Sequence, residues 1–367
     1  MKRSSLGGKS KEHSMTSPYD DLPLSSFWRS AVAETDPAAL DALYAKRFDI
    51  ARSDRIATAG SCFAQNVARY LRRHAYQIVD TEALPDWMPS ELAKSFGYGL
   101  YSARYGNIYT VRQLRQLIDD SLSGAVRDED VWEKDGRFYD ALRPSVEPEG
   151  LDSAEEVKAH RRDHLARVAE MMRTADIFVF TLGLTEAWEL KGKGTVYPTA
   201  PGVIAGTFDP DIHGFVNFDM FQIFEDLVAV RAALLSVNPG MRFLLTVSPV
   251  PLTATASGDH VLTATIRSKS ILRAVCAAFY DRFENVDYFP SYEIITSPGA
   301  RSDFFSPNLR SVTEAGVDAV MKVFFAAHSD GAQPPRAEPK PSRRVDDDDD
   351  DAEDVVCEEA LLEAFGR

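Results

Sequence analysis

Short apolar runs that alternate with long helical segments are what most constrain this chain. Ile56 to Ala59, Asp176 to Leu182 and Arg242 to Val247 are each four to seven residues long and almost without polar positions. A run that is apolar on both alternating faces suits a parallel strand covered above and below, whereas a half-exposed strand alternates. Helical spacing follows the first run, with Phe63, Val67, Tyr70 and Leu71 in a segment from about Cys62 to His74. Further helices are expected over Val111 to Leu122, Ser153 to Thr174 (a capping box joins Ser153 to Glu156), Asp219 to Val237, Thr263 to Phe283 and Thr313 to Ala327. Tyr76 to Val79 and Val286 to Phe289 read as two more short strands. Strand-helix alternation of this kind predicts a doubly wound α/β sheet, mostly parallel, whose ligands lie at the carboxyl ends of the strands.

Other segments punctuate that pattern. Asp135-Gly136 inside Val131 to Ala141 predicts a hairpin. Gly194 to Asn217 is rich in Gly, Pro and aromatics and is expected to be a lid or binding loop. Phe27, Trp28 and Ala38 to Phe48 read as a helical lead-in packed on the domain. The division expected is a disordered N-terminus over 1–22, one domain over 23–328, a Pro-rich and acidic linker over 329–352, and a short amphipathic segment over 353–367.

Charge and composition narrow the function. A net charge of −15 over 367 residues disfavours nucleic acid or an anionic membrane as the main partner. No apolar run is long enough to span a bilayer, and Met1 to Ser17 lacks the apolar centre of a signal peptide, so a cytoplasmic location is expected. Cys62, Cys276 and Cys357 are widely spaced and odd in number, a pattern of neither a disulfide framework nor a zinc site. No metal or other cofactor is expected. His160 and His164 have the spacing of a metal pair, but the third ligand is missing and a solvated helix face is the plainer reading.

The stretch that carries chemistry is Arg55-Ile-Ala-Thr-Ala-Gly-Ser-Cys-Phe-Ala-Gln-Asn66. A strand here turns sharply at Gly60 and enters a helix, leaving Ser61 beside free helix N–H groups that favour negative charge. A nucleophilic serine needs such donors fixed in advance. Taken alone, the turn is better explained by an N-cap serine, which is far commoner than a nucleophile. Cys62 offers a thiol alternative at the same helix start, against a plain packing role.

The companion segments decide how the turn is read. Gly60-Ser-Cys-Phe-Ala64, Gly106-Asn-Ile-Tyr-Thr110, Thr181-Leu-Gly-Leu-Thr-Glu-Ala-Trp188, Val247-Ser-Pro-Val250, Ser268-Lys269 and Tyr288-Phe-Pro-Ser-Tyr-Glu293 resemble, in order, the blocks of the GSCFA family. The likeness covers about Pro18 to Ala327. That family resembles a branch of the SGNH, or GDSL-like, hydrolases, which implies a flavodoxin-like three-layer α/β/α sandwich and esterase, lipase or acyltransferase activity. The resemblance assigns Ser61 as nucleophile, Gly106 and Asn107 to the second-block oxyanion donor, and Gly183 to the third block. Thr185 and Glu186 stand around the position where the larger group supplies an Asn side chain; a Thr185 N–H can donate there, an ionised Glu186 cannot.

The chain departs from that group at its end. Asp303-Phe-Phe-Ser306 occupies the place of an Asp-x-x-His, so serine replaces the expected base. His260, on the loop after an inner strand, is the candidate substitute, with Glu186 or Asp303 as the orienting acid. Lys269 is long enough to reach the site, although an exposed helix lysine is the default reading, and Arg104 has the same status. The expected function is a serine-dependent ester hydrolase or acyltransferase that takes an acylated carbohydrate or small ester, with an acyl donor in the transfer case. A catalytically inactive carbohydrate-binding protein of the same fold is the alternative.

Overall fold

A computed structural model describes residues 17–36, 43–300, 303–328 and 355–366. Five parallel strands form the central sheet: β1 (Arg55–Gly60), β2 (Gln77–Ile78), β5 (Ile177–Leu182), β9 (Arg242–Val247) and β10 (Val286–Tyr288). Their lateral order is β2-β1-β5-β9-β10. Ranked among themselves they run 2-1-3-4-5, the flavodoxin-like order, which reverses between β1 and β5. Ser61 follows β1 and Gly183 follows β5, so the two flank the crevice that this reversal opens.

All six residues of β5 are buried, as a two-sided strand requires. Ile177 and Val179 face a core shared with α1 (Phe63–Arg73), α6 (Ser291–Thr296) and α7 (Glu314–His328). Phe178, Phe180 and Leu182 face the opposite core, built with α2 (Val111–Ser123), α3 (Ala154–Thr174), α4 (Met220–Val237) and α5 (Val261–Arg282). The period-2 alternation of one strand thus divides two helical layers, which makes the three-layer α/β/α sandwich. Burying each of these side chains contributes about 1.5–3 kcal/mol, and β1 and β9 serve both cores in the same way.

Local signals account for the element ends. Thr110 caps α2 through a reciprocal capping box with Gln113, and Gly124 closes it in a left-handed conformation. Ser153 caps α3 by accepting from the Glu156 N–H. The hairpin of β3 (Val131–Lys134) and β4 (Arg137–Asp140) turns on Asp135 and Gly136, both at positive φ.

Three expectations are corrected. Gly194 to Asn217 is not a loop without structure: β7 (Thr195–Tyr197) and β8 (His213–Asn217) flank β6 (Glu186–Leu190) in an antiparallel sheet. Its strands are short and its aromatics pack across strands, Trp188 on Phe215 among them, so periodicity alone could not show them. Second, the lead-in is not the helix expected over Ala38 to Phe48; residues 43–48 are irregular, although Tyr44 is buried, and 37–42 lie outside the described residues. Trp28 is exposed. Third, His164 is not on a solvated face but buried, bonded to Glu82 at 2.7 Å, while His160 is exposed on the same helix. The expected disorder of 1–16 and 329–352 lies outside the described residues.

Candidate active site

Ser61 stands on the turn between β1 and α1. Gly60 makes that turn at φ +141°, and a side chain there would collide with the Thr181 carbonyl of the neighbouring strand. The chain therefore leaves the sheet at the one residue that allows both the angle and the close approach. The Ser61 N–H still bonds the Thr181 carbonyl (3.1 Å), and the Ser61 carbonyl accepts from Tyr101 Oη (3.1 Å) and the Ala64 N–H (2.8 Å). The backbone of the serine is thus held on three sides.

Its side chain is not. Ser61 is 3% exposed, yet its Oγ has no hydrogen-bond partner. The helix begins at Phe63 with Cys62 before it, and Ser61 does not cap it. A buried hydroxyl left unbonded is costly, which is why most are satisfied. This disposes of the capping role; the Thr58, Thr181, Thr253 and Ser297 hydroxyls are unbonded too, and what sets Ser61 apart is its place on the turn after β1. The N–H groups of Cys62 and Gly106 also have no acceptor among the described residues.

Gly183 closes the other side. A Cβ on it would lie 2.9 Å from Ser61 Cβ and 3.0 Å from the Tyr109 carbonyl oxygen. That carbonyl is fixed by the N–H groups of Gly183 (3.1 Å) and Leu184 (2.8 Å). The Gly183 carbonyl in turn accepts from Lys269 Nζ at 2.7 Å. Lys269 is fully buried rather than an exposed helix lysine, and burial pushes its pKa down to about 8 against the attraction of Glu359.

The remaining expected residues divide. Thr185 cannot serve as an unspent oxyanion donor: its N–H donates to Ser268 Oγ (3.1 Å) and its hydroxyl to Asn217 Oδ1 (2.8 Å). Glu186 accepts from Thr255 Oγ1 at 2.9 Å, and burial raises its pKa. It lines a cleft of about 200 Å³ that starts at Leu184 and is walled by Trp188, Tyr197, Phe215 and Leu252. His260 is not on a free loop. It caps α5, its Nδ1 accepts the Leu262 N–H at 3.2 Å, it is exposed, and the expected bond to Ser61 is not formed. It precedes Lys269 by nine residues, ~13.5 Å along the helix axis. Asp303 is exposed, and Ser306 bonds through its backbone to Ser311. Arg104 is buried and paired with Glu147 at 2.7 Å, a structural role.

The C-terminal segment docks on the body, across this site. Val356 exchanges bonds with the Gln65 side chain (Nε2 to O 2.7 Å, N to Oε1 3.1 Å), and its carbonyl also accepts from Asn107 Nδ2 at 3.0 Å. The Glu358 carboxylate receives Asn107 Nδ2, Tyr109 Oη (2.8 Å) and Ser145 Oγ (2.5 Å). Glu359 pairs with Arg310 at 3.3 Å, and Leu362 enters the cleft beside Glu186. The Cys357 thiol, with burial, raises the Cys62 pKa well above the usual thiol range. Cys357 is pulled down to about 6, first by the Cys62 thiol, with Arg310 acting in the same direction against burial. A thiol held protonated is a poor nucleophile.

β1, the Gly106 loop, β5 and α5 all lie within the reach of one family model. The GSCFA family model matches residues 55–324, from the first residue of β1 into α7. The chain belongs to the GSCFA family. No curated protein and no solved structure matches it. The GSCFA match contains Ser61, Gly106, Gly183 and Lys269 and ends before the docked segment 355–366. Among the described residues, no helix is long and apolar enough to cross a membrane.

Sequence reasoning missed the burial of Lys269 and the roles of Tyr109, Ser145 and Glu358. One signal was present. Lys269 is spaced 3 and 7 residues from Leu272 and Cys276, which are buried on the same helix, so it sits at a core-facing phase.

Proposed function

We propose that this GSCFA protein is a serine-dependent ester hydrolase or acyltransferase of SGNH-like layout, acting through an acyl-enzyme on Ser61. The observation that carries the reading is the buried, unbonded Ser61 hydroxyl at the point where the strand order reverses. It is supported by the unspent N–H groups of Cys62 and Gly106 and by a buried lysine one carbonyl away.

In this scheme Lys269, not His260, is the general base. At pH 7 a lysine of pKa about 8 is neutral in roughly a tenth of molecules, against fewer than one in a thousand for an ordinary lysine. Ser61 Oγ bonds the ester carbonyl carbon and gives its proton to neutral Lys269, which must first turn from the Gly183 carbonyl toward Ser61. The carbonyl electron pair moves to oxygen, where the Cys62 and Gly106 N–H groups receive it. Collapse breaks the bond to the alcohol, which takes the proton back from Lys269. Water or a sugar hydroxyl then attacks the acyl-enzyme by the same path reversed, giving hydrolysis or transfer. The cleft from Leu184 to Phe215 holds the acyl or sugar portion, and Glu186 at its wall can accept sugar hydroxyls. The docked segment lies across this path and must leave before substrate enters.

A second reading is a carbohydrate-binding protein that no longer turns over. The observation in its favour is that no histidine is bonded to Ser61. Turnover of p-nitrophenyl acetate, and of a panel of acyl esters and acyl-CoA donors with sugar acceptors, separates the two. The enzyme reading predicts turnover that Ser61→Ala lowers by about a thousandfold or more. No turnover above background on the whole panel by the unmutated chain, with a sugar still bound, would sink it.

A further inference from the structure

The Glu358 carboxylate has an unusual environment. It is 5% exposed and receives three neutral donors: Asn107 Nδ2, Tyr109 Oη and Ser145 Oγ. Two of these donors stand on buried residues whose positions are fixed from behind. Asn107 Oδ1 accepts from Tyr101 Oη (2.5 Å) and Gln65 Nε2 (3.0 Å), which orients its amide N–H group outward. The Tyr109 backbone is held between Gly183, Leu184 and Gln113. The cage therefore belongs to the family-matching body, while its occupant comes from a segment outside the match.

Three converging donors, one of them shared with the Val356 carbonyl, are complementary to an oxygen acceptor such as a carboxylate, and a carboxylate is what they hold. Glu358 gives all three donors an ionised acceptor in a place that excludes water. The cage also borders the reactive turn. Asn107 and Gln65 both hold Val356, and the Tyr109 carbonyl accepts from Gly183, whose α-carbon faces Ser61 Cβ.

We propose that Asn107, Tyr109 and Ser145 form a carboxylate-binding subsite beside Ser61, and that Glu358 fills it in place of the carboxylate of an acidic substrate. The substrate class is then an ester whose acyl or alcohol portion carries a free carboxylate, such as an acidic sugar. Residues 356–362 act as a tethered competitor: Glu358 takes the carboxylate seat and Leu362 takes the cleft. The word substrate rests on the reading of Ser61 as the reactive group; the subsite itself does not, and the test keeps the two apart.

The test uses full-length chains. Glu358→Ala empties the seat, and Glu358→Ala/Glu359→Ala also removes the Arg310 pairing that helps hold the segment down. Binding of D-glucuronate, with uncharged D-glucose as control, is measured by calorimetry. The proposal expects at least about tenfold tighter glucuronate binding by one or both variants than by the native chain, with glucose unchanged. Adding Tyr109→Phe to the double variant should return the affinity to the native level. Fluorophosphonate labelling of Ser61 is read in parallel and should be faster in the variants. Glucuronate binding no tighter in either variant, or unaffected by Tyr109→Phe, overturns the subsite. Tighter binding without any labelling upholds the subsite and instead removes the catalytic reading of Ser61.

Discussion

Gly183→Ala tests the packing that places Ser61. The added methyl would lie 2.9 Å from Ser61 Cβ and 3.0 Å from the Tyr109 carbonyl oxygen. Carbon atoms in comfortable contact are about 3.5–4.0 Å apart, so the methyl is too close to Ser61 by ~0.6 Å or more. Tyr109 cannot yield readily, because its carbonyl accepts two backbone N–H groups and its own N–H bonds Gln113. Ser61 or the loop after β5 must shift instead. Overpacking of this kind costs about 1–3 kcal/mol. A displaced nucleophile costs more in rate than in stability, since ~1 Å of misplacement can lower turnover about a hundredfold. We therefore expect Gly183→Ala to fold with a lowered Tm and to lose about 10- to 100-fold in kcat/KM on p-nitrophenyl acetate. The assay pairs that rate with thermal unfolding. A variant with a lowered Tm and native kcat/KM would refute the claim that Gly183 sets the position of the reactive hydroxyl.

Lys269→Met should lower kcat/KM by about a hundredfold or more, in the range of a lost general base. In the unmutated chain the rate should rise with pH and level off above about 8, because the base must first lose its proton; a rate flat from pH 6 to 9 would exclude this lysine. Arg161 is buried among Asp120 (3.0 Å), Asp130 (3.3 Å) and Asp140 (3.4 Å), so Arg161→Met strands buried carboxylates and should cost about 3–5 kcal/mol in urea unfolding. Glu82 is raised by burial but lowered more by His164, Arg143 and the Arg104 N–H, to about 2. Its folded pKa is below its unfolded value, so its contribution, about 2–4 kcal/mol, is present above pH ~4.5 and is lost as pH falls toward 2. Glu82→Gln should flatten the stability profile across that window; an unchanged acid slope would contradict the assignment.

The framework was legible because parallel strands covered on both faces leave a plain record. Arg242 to Val247 appears in the structure with the expected bounds, and Asp176 to Leu182 differs by one residue. What alternation and helical spacing cannot record is a strand whose neighbours are distant in sequence. β6 pairs with β8 across some twenty residues of turns, and only cross-strand contacts make that segment a sheet. The site was half legible. Gly60-Ser61 and Gly183 do meet at the carboxyl edge, and the Gly106 loop is tied to it through the Ile108 N–H, which bonds the Gly60 carbonyl. His260 was singled out for its residue type and loop position, but its ring is spent on its own helix start. Lys269 was set aside because lysines are usually exposed. Its spacing with Leu272 and Cys276 argued otherwise, and so did that of Arg161 with Val157, Leu165 and Val168. The segment 355–366 could be seen as amphipathic, but its seat is built from Gln65, Asn107, Tyr109 and Ser145, more than two hundred residues away.

The central claim is that Ser61 is the reactive group. Its most direct test is the mass of the peptide carrying residues 56 to 69 after treatment of the intact chain with a fluorophosphonate probe. The account predicts one adduct on Ser61, absent in Ser61→Ala and slowed in Lys269→Met. An adduct on another residue, or labelling that persists in Ser61→Ala, would contradict it.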